Sequence, residues 1–311
     1  MKRSTAGKAV LAAVALGAAV MLVVTVQKDT TVSAASVASP SPPEITETSP
    51  AVTTEAQASS SPPPSTISPQ MSQNVAANAQ RALRRTVSSA KLGMEVYDRQ
   101  THTVVTSVDA GTQFASMSVV KLLIAVDILA RDGAQMPGQS TADEITRMLS
   151  SSDDAIASSF WESGGGPAII TRDVALMGLT GTKPPTSAGE WGGTKITAQD
   201  IVTVYDYVLD ELPDPARDLL YNAMYQAPRE GADGTDQYFG IPDGLPGTTW
   251  AIKQGWGSDG PYAYYNTTGI VGADSRYVVV LLSSGPLSAY RTMPRALTAA
   301  TAALAPVFAQ P

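Results

Sequence analysis

The sequence has 311 residues, of which 43% are hydrophobic, and a formal charge of −7 at pH 7. Its length suits one large domain or two small ones. It contains no cysteine, which excludes thiol catalysis, disulfides, cysteine-ligated metals and lipidation of an N-terminal cysteine. Its single histidine, His102, excludes a histidine-rich zinc site, and we expect neither a metal nor another cofactor. His102 lies between two alternating runs, as at the tip of a hairpin, so acid–base work is expected from Lys, Asp, Glu or Tyr.

The first 34 residues predict a secretory signal peptide or a retained signal anchor. Basic residues in MKRSTAGK precede an apolar run at 9–26, and Val-Ser-Ala at 32–34 offers a small-residue cleavage site. The run is longer than most signal cores and just long enough to span a bilayer, so cleavage and retention both stay open. In either case the rest of the chain is exported. It is then secreted or anchored to the cytoplasmic membrane with the folded domain outside.

Residues 35–70 predict a disordered linker, because they are largely Pro, Ser, Thr and Ala and lack the apolar content to fold. The folded domain is predicted to occupy 71–311. Since the first 34 residues are net basic, the exported part is more acidic than the chain as a whole. An acidic domain without a basic stripe argues against nucleic acid as a partner. We expect a monomer.

The folded part begins with a helical pattern, which two alternating runs around Arg99–Thr101 follow as a β-hairpin. Two or three late strands lie in TTWAIKQGW, YAYYNTTGIVGA and SRYVVVLLSSG. The remaining helical patterns occupy 117–131, 141–160, 168–177, 198–212 and 214–226, with a last helix at 287–308.

Strands at both ends with helices between them predict an α+β fold. The first and last strands must meet in one antiparallel sheet, flanked by the terminal helices. The middle helices would form a reduced all-α lobe, with a cleft between this lobe and the sheet.

The run FASMSVVKLL places Ser118 and Lys121 one helical turn apart, on one helix face. A serine nucleophile needs a base, and a desolvated lysine with a lowered pKa can serve. At a helix start, backbone N–H groups and the helix dipole also favour an oxyanion. The spacing alone is weak, because Ser88 and Lys91 repeat it at an ordinary helix end. Lys121 differs in being the only charge inside a long apolar run.

Two further motifs are weak when taken alone. The triplet Ser-Asp-Asp at 152–154 precedes a helical pattern, where a Ser-Asp pair is most often an N-cap. The triplet Lys-Gln-Gly at 253–255 lies on a predicted strand, where an edge lysine is common. The order S-x-x-K, S-D-x, K-x-G along one chain is far more specific than any of its parts.

This order resembles that of the serine β-lactamases and penicillin-binding proteins, and is closest to the class A β-lactamases. GGGPAIITRDVALMG is similar to the helix after that family's S-D-N loop, and KITAQDIVTVYDYVL to the helix after its omega loop. The resemblance covers roughly residues 90–308. It implies the fold of that family, an active-site serine and a small-molecule or peptidoglycan-type substrate.

The resemblance also implies a role for each matching residue. Ser118 would be the acyl-enzyme nucleophile, and Lys121 its proton acceptor or relay. Ser152 would pass a proton to the leaving nitrogen, and Lys253 would hold the substrate carboxylate. The backbone N–H groups of Ser118 and Trp256 would form the oxyanion hole.

Departures from the family pattern bear on function. Asp154 stands where the family has Asn, which puts an acid where an amide would face the substrate. Gln254 replaces the usual Thr or Ser, removing a hydroxyl that binds the carboxylate. We place Asp154, Gln254 and Gly255 among the substrate-binding candidates. The omega-loop motif E-x-x-L-N, which supplies the deacylating base, is missing from the sequence. Glu190, in the corresponding loop, is either a water-activating base or a solvated loop carboxylate.

Two functions follow from this pattern. The first is an exported serine hydrolase or acyltransferase-like protein that forms a Ser118 acyl-enzyme with a β-lactam or a peptidoglycan-type amide. Its deacylation would be slow, since losing a positioned base typically costs ~10²–10⁴-fold. The second is a catalytically impaired protein of the same fold that binds the cell wall or another protein. The context of Ser118 and Lys121 disfavours a purely structural envelope protein.

Overall fold

The computed structural model describes residues 67–131 and 133–309. The predicted signal segment and nearly all of the predicted linker lie outside these ranges. Ile67 is already buried in the core, and Ser68 Oγ accepts a hydrogen bond from the Met71 N–H, which caps the first helix. The folded region therefore includes residues 67–70, which lie before the predicted boundary at 71. Within the described ranges, no helix is both long and apolar enough to cross a membrane.

The secondary structure follows the predicted order, with helices between the early and late strands. The helices are α1 Pro69–Thr86, α2 Val120–Arg131, α3 Gln139–Ser150, α4 Asp154–Ser163, α5 Ala168–Met177, α6 Ala198–Asp206, α7 Asp214–Tyr225, α8 Ile241–Gly244, α9 Met293–Ala302 and α10 Ala305–Phe308. The strands are β1 Lys91–Asp98, β2 Thr103–Val108, β3 Phe114–Ala115, β4 Lys195–Ile196, β5 Trp250–Asp259, β6 Tyr262–Val271 and β7 Tyr277–Pro286.

Five strands form one antiparallel sheet in the order β2-β1-β7-β6-β5. The first and last predicted strands meet as expected, since β1 pairs along its whole length with β7. The apolar run of β7 is buried on both faces because helices cover both sides of the sheet. Val280 packs into the core shared with α2, whereas Leu281 packs into the core shared with α1 and α9. The predicted α+β architecture is confirmed.

One predicted helix, at 141–160, is two helices in the structure. Ser152 adopts a φ of +60°, which a continuous helix does not allow. Asp153 then caps α4, because its Oδ1 accepts hydrogen bonds from the N–H groups of Ala155 and Ile156. The break places Asp154, the last residue of the Ser-Asp-Asp triplet, at the start of α4 and in the lining of a cleft.

Two other predicted helices keep nearly their predicted bounds but are not single α-helices. The stretch predicted at 198–212 is α-helical only to Asp206 and continues as a π-helical turn over Tyr207–Glu211. The last helix, predicted at 287–308, is a 3₁₀ turn followed by α9 and α10. Pro294 and Pro306 lie in the first turns of α9 and α10, where the missing N–H costs nothing, so each proline starts a new helix.

Candidate active site

Ser118 lies in the 3₁₀ turn that leads into α2. The residue before it, Met117, has a φ of 48°, a left-handed conformation that is strained for a side-chain-bearing residue. Asn266 holds this turn from β6, because its Nδ2 donates to the carbonyl oxygens of Ala115 and Ser116, each at 3.0 Å. The turn brings Ser118 to the surface of a cleft of about 590 Å³.

Strand β5 passes very close to this turn. A Cβ on Gly255 would lie 2.6 Å from the Ser116 carbonyl oxygen and 3.2 Å from the Ser118 nitrogen, so a side chain there would clash with backbone. Gly255 therefore permits the approach of β5 to the nucleophile turn, and it does not line the cleft. Trp256 follows it on β5 and does line the cleft. The oxyanion hole formed by the N–H groups of Ser118 and Trp256 stays a prediction.

Lys121 is fully buried, with four oxygens around its Nζ. Ser118 Oγ lies at 2.9 Å, the Ser152 carbonyl oxygen at 2.6 Å, Ser152 Oγ at 3.1 Å and Asp154 Oδ1 at 2.5 Å. A neutral lysine amine has two N–H donors and one lone pair. If the donors take the two shortest contacts, to Asp154 and the Ser152 carbonyl, the lone pair is left for the Ser118 hydroxyl proton. This geometry suits Lys121 as the proton acceptor.

Burial also lowers the pKa of Lys121, which favours the neutral amine that a base must be. The ring of Trp191 covers the amine, with its centroid 4.9 Å from Nζ. Asp154 opposes the effect of burial, because its carboxylate stabilises the ammonium form through a hydrogen bond and through charge. Asp153 and Asp233 act in the same direction from farther away. The net direction is still downward.

Lys253, on β5, also contacts the Ser152 hydroxyl. Its Nζ donates to Ser152 Oγ at 3.0 Å and to the Gln254 carbonyl at 3.1 Å. Burial lowers the pKa of Lys253 strongly, and the neighbouring positive charge of Lys121 lowers it further. The structure thus joins the four predicted catalytic residues in one buried hydrogen-bond chain, Ser118–Lys121–Ser152–Lys253.

Tyr205 and Thr268, which no sequence pattern indicated, support this chain of hydrogen bonds. The Tyr205 hydroxyl, fully buried on α6, lies 2.8 Å from Thr268 Oγ1. Thr268 Oγ1 in turn donates to the Lys253 carbonyl at 2.6 Å. A buried tyrosine hydroxyl needs a polar partner, and here the partner fixes the backbone from which Lys253 extends.

Gln254 is not at the cleft, which corrects its prediction as a substrate contact. Its side chain is buried, and Nε2 donates to the carbonyl oxygens of Gln237 and Phe239 at 2.9 and 2.6 Å. Its Oε1 has no partner among the described residues. Successive strand residues face opposite sides of a sheet, and the Gln254 side chain is directed away from the Ser152 hydroxyl that Lys253 contacts.

Glu190 lies on the cleft wall formed by the loop at 185–193. Trp161 anchors this loop, since its Nε1 donates to the Ala188 carbonyl at 2.7 Å. The short pairing of β3 with β4 attaches the end of the loop to the segment before Ser118. Glu190 itself is exposed, and its carboxylate forms no hydrogen bond within the described part of the chain. Glu190 therefore lies at the cleft, but no described residue holds its carboxylate in position to activate a water molecule.

Asp233 is a cleft residue that the sequence did not reveal. Its loop docks beside the Ser-Asp-Asp triplet, because the Ala232 N–H donates to the Ser151 carbonyl at 2.7 Å. Asp233 Oδ2 accepts a hydrogen bond from Trp256 Nε1 at 2.9 Å. Burial alone would raise the pKa of Asp233, but hydrogen bonds from Thr235 and Trp256 outweigh it and leave the pKa below the ordinary value.

The second Ser-x-x-Lys match behaves as an ordinary helix end. Ser88 lies in the turn after α1, and Lys91 begins β1, both exposed and away from the cleft lining. His102 occupies the hairpin turn with a φ of 52°, and its Nδ1 lies 3.5 Å from the Tyr97 hydroxyl. Neither position takes part in the buried chain of hydrogen bonds.

The chain has the fold of the class A β-lactamases and of PBP-A, as its motifs predicted. The class A β-lactamase from Mycobacterium abscessus superposes with a TM-score of 0.61 at 19% identity, over 76% of this chain and 99% of that one. PBP-A superposes with a TM-score of 0.58 at 19% identity, over 74% of this chain and 96% of that one. A variant of PBP-A has been solved as an acyl-enzyme complex with penicillin G.

The chain is also similar in sequence to LppW, a predicted lipoprotein of Mycobacterium tuberculosis (strain ATCC 25618 / H37Rv). The two are 37% identical over 204 residues, which make up 63% of this chain and 64% of LppW. LppW of Mycobacterium bovis matches equally well. The matched region thus spans less than two thirds of these relatives. No protein-family model matches the chain.

Proposed function

We propose that this protein is an active-site-serine hydrolase or acyltransferase-like protein that forms an acyl-enzyme at Ser118 with a β-lactam or a peptidoglycan-type amide. The observation that carries the proposal is the 2.9 Å contact between Lys121 Nζ and Ser118 Oγ, inside a buried chain that ends at Lys253. The penicillin G acyl-enzyme of PBP-A, a protein of the same fold, supports it.

In the proposed acylation, Ser118 Oγ attacks the substrate carbonyl carbon while its proton passes to Lys121. The resulting oxyanion would be stabilised by the backbone N–H groups of Ser118 and Trp256. As the carbon–nitrogen bond breaks, the leaving nitrogen takes a proton from Ser152. Ser152 is resupplied by Lys121, its neighbour at 3.1 Å. Lys253 orients the Ser152 hydroxyl throughout.

Deacylation is the slow step of this proposal. A water must be activated to release the acyl group, and the only candidate named by the sequence, Glu190, is exposed and has no orienting partner among the described residues. Losing a positioned general base costs ~10²–10⁴-fold. We therefore infer a long-lived acyl-enzyme rather than efficient turnover.

The proposed location is the extracytoplasmic side of the cytoplasmic membrane. The relative LppW is a predicted lipoprotein, but this sequence has no cysteine to carry a lipid. The apolar segment at 9–26 would take over the role of anchor if it is retained, and would export the domain if it is cleaved.

One contact favours the alternative function, a catalytically impaired protein of the same fold that binds the cell wall or another protein. Asp154 Oδ1 lies 2.5 Å from Lys121 Nζ and stabilises its ammonium form. A permanently protonated Lys121 could not accept the proton of Ser118. In this case the cleft would bind its ligand without forming a covalent bond.

Intact-mass measurement separates the two functions. The exported domain would be incubated with penicillin G and, separately, with a neutral fluorophosphonate that labels nucleophilic serines. We expect one fluorophosphonate adduct per chain in the wild type and in the matched control Ser88→Ala, and none in Ser118→Ala. Penicillin G should give the same adduct pattern more slowly, because its carboxylate lies beside the amide that Ser118 attacks. A folded wild-type domain without any adduct would contradict the hydrolase proposal and favour the binding module.

A further inference from the structure

The residues that line the cleft are strongly unbalanced in charge. Four carboxylates face it, and the only ammonium among the described lining residues is that of Lys195. The positive charge of Lys195 is compensated by an ion pair, because its Nζ lies 3.3 Å from the Asp259 carboxylate. The other three carboxylates are those of Asp154, Glu190 and Asp233.

The two catalytic lysines do not restore the balance. Both are buried, and neither lines the cleft. Lys121 directs its Nζ to Ser118, Ser152 and Asp154, while Lys253 directs its Nζ to Ser152 and its own strand. No arginine lies among the cleft-lining residues that the structure describes. A substrate carboxylate would therefore meet little free positive charge and several negative ones.

Asp154 and Asp233 contact residues that take part in the proposed acylation, Lys121 and Trp256. Asp154 bonds Lys121 through one oxygen, yet about 65% of its side chain is exposed to the cleft. Asp233 is held by Trp256, next to the strand that passes Ser118. A cationic group in the cleft could pair with either carboxylate. Pairing with Asp154 would also loosen its hold on the Lys121 amine.

We propose that the cleft selects substrates with a positive charge near the scissile bond and disfavours those with a carboxylate there, through Asp154 and Asp233. This inference rests on the proposed Ser118 acylation and adds the substrate class to it. The acidic residues do not by themselves define the site, which is defined by Ser118 and its buried chain. They set which charge can approach it.

Three thioesters of one acyl group test the proposal, with mercaptoacetate (anionic), its methyl ester (neutral) and thiocholine (cationic) as leaving thiols. In each, Ser118 Oγ forms a bond to the carbonyl carbon, the carbon–sulfur bond breaks, and the thiol leaves with the serine proton. Water then releases the carboxylic acid and regenerates the hydroxyl. Thiol release in the first turnover gives the acylation rate constant at each substrate concentration.

We expect the second-order acylation constant of the thiocholine ester to exceed that of the mercaptoacetate ester by at least about tenfold at low salt. Asp154→Asn and Asp233→Asn should each lower this ratio about threefold or more. The control Asp218→Asn makes the same change of charge on α7, away from the cleft lining, and should leave the ratio unchanged. The three thiols differ in acidity and therefore in leaving ability, so each ratio is divided by the ratio of the uncatalysed reactions with a neutral nucleophile. The change of this ratio in the cleft variants, relative to Asp218→Asn, reports charge selection.

The outcomes are distinguishable. If the anionic ester reacts as fast as the cationic one, the charge selection is wrong while Ser118 acylation stands. If Asp218→Asn lowers the ratio as much as the cleft variants do, the selection belongs to the whole surface and the proposed residues are wrong. If none of the three esters and no fluorophosphonate acylates the folded domain, both this inference and the proposed function fail.

Discussion

Asp154 Oδ1 lies 2.5 Å from Nζ of Lys121, so an exposed carboxylate holds the buried amine that would activate Ser118. Two opposing effects act on the pKa of Lys121, and burial is the larger of them. Burial drives the Lys121 amine toward its neutral, basic form, and Asp154 drives it toward ammonium. The pH dependence of the proposed Ser118 nucleophile should therefore be set in part by Asp154.

Replacing Asp154 with Asn should move this balance toward the base. Asn keeps an oxygen acceptor but removes the negative charge, so the pKa of Lys121 falls further. The other charges that face it, Asp153, Asp233 and Lys253, remain. With a neutral fluorophosphonate, the rising limb of the pH–rate profile should shift to lower pH, and the rate at pH 7 should rise about three- to tenfold.

The control for this profile is Asp218→Asn, which changes the net charge equally at a distant surface. Its limb should coincide with that of the wild type. An Asp154→Asn profile that is unshifted, or shifted to higher pH, would show that Lys121 is not the base for Ser118.

The role of Glu190 can be tested separately. Because its carboxylate is exposed and lacks an orienting partner, Glu190→Gln should leave both the acylation rate and the decay of the acyl-enzyme within about twofold of the wild type. The decay is followed by intact mass after unreacted penicillin is removed. A decay slowed ~10²–10⁴-fold would instead identify Glu190 as the water-activating base.

Asn266 should be essential for the nucleophile turn. In Asn266→Ala, the carbonyl oxygens of Ala115 and Ser116 lose a buried donor, and the Ser283 N–H loses an acceptor. We expect the free energy of unfolding to fall by about 2–4 kcal/mol, measured by urea denaturation. The control Asn74→Ala, on the exposed face of α1, should change it by less than about 0.5 kcal/mol. Equal losses in the two variants would contradict this assignment.

Asp173 should make stability fall as pH rises. It is fully buried on α5, neither carboxyl oxygen has a partner among the described residues, and burial raises its pKa to about 8, with Asp127 adding to the effect and Arg172 opposing it. Its folded pKa exceeds the unfolded value, so its contribution is complete below about pH 4 and is lost up to about pH 8. Asp173→Asn cannot ionise and escapes this loss.

The measurement is the free energy of unfolding of both proteins at pH 5 and pH 8. The variant should gain about 2–4 kcal/mol on the wild type between these two values. The exposed Asp143→Asn serves as control and should show no such gain. If Asp173→Asn gained nothing at pH 8, the Asp173 carboxyl would have to be solvated or paired in the folded state.

The sequence predicted the four residues of the buried chain because each belongs to a short local motif and the motifs occur in a recognisable order. It could not reveal Tyr205, Thr268 or Asp233, since each contributes through a contact with a residue distant along the chain. Gln254 was misplaced although strand alternation already separates it from Lys253. There, the position in the family pattern outweighed the geometry of the strand.

The sequence indicated the break at Ser152 only through the Ser-Asp pair, which is typical of an N-cap, and not through its apolar spacing. Apolar spacing runs smoothly through 141–160, and the positive φ of Ser152 follows from tertiary contacts rather than from local preference. Those contacts are the bonds that its carbonyl and hydroxyl oxygens receive from Lys121 and Lys253. The hydrogen bonds from Lys121 and Lys253 stabilise the Ser152 turn, and the turn supplies the oxygens that these two buried lysines need.

Ser118, activated by Lys121, is the proposed nucleophile of this protein. Peptide mapping after reaction with a neutral fluorophosphonate tests it most directly, because the modified residue is read by fragmentation. We expect the label on Ser118 in the wild type, at a rate that falls at least about a hundredfold in Lys121→Ala. A label on Ser88 or Ser152, or an undiminished rate in Lys121→Ala, would contradict it.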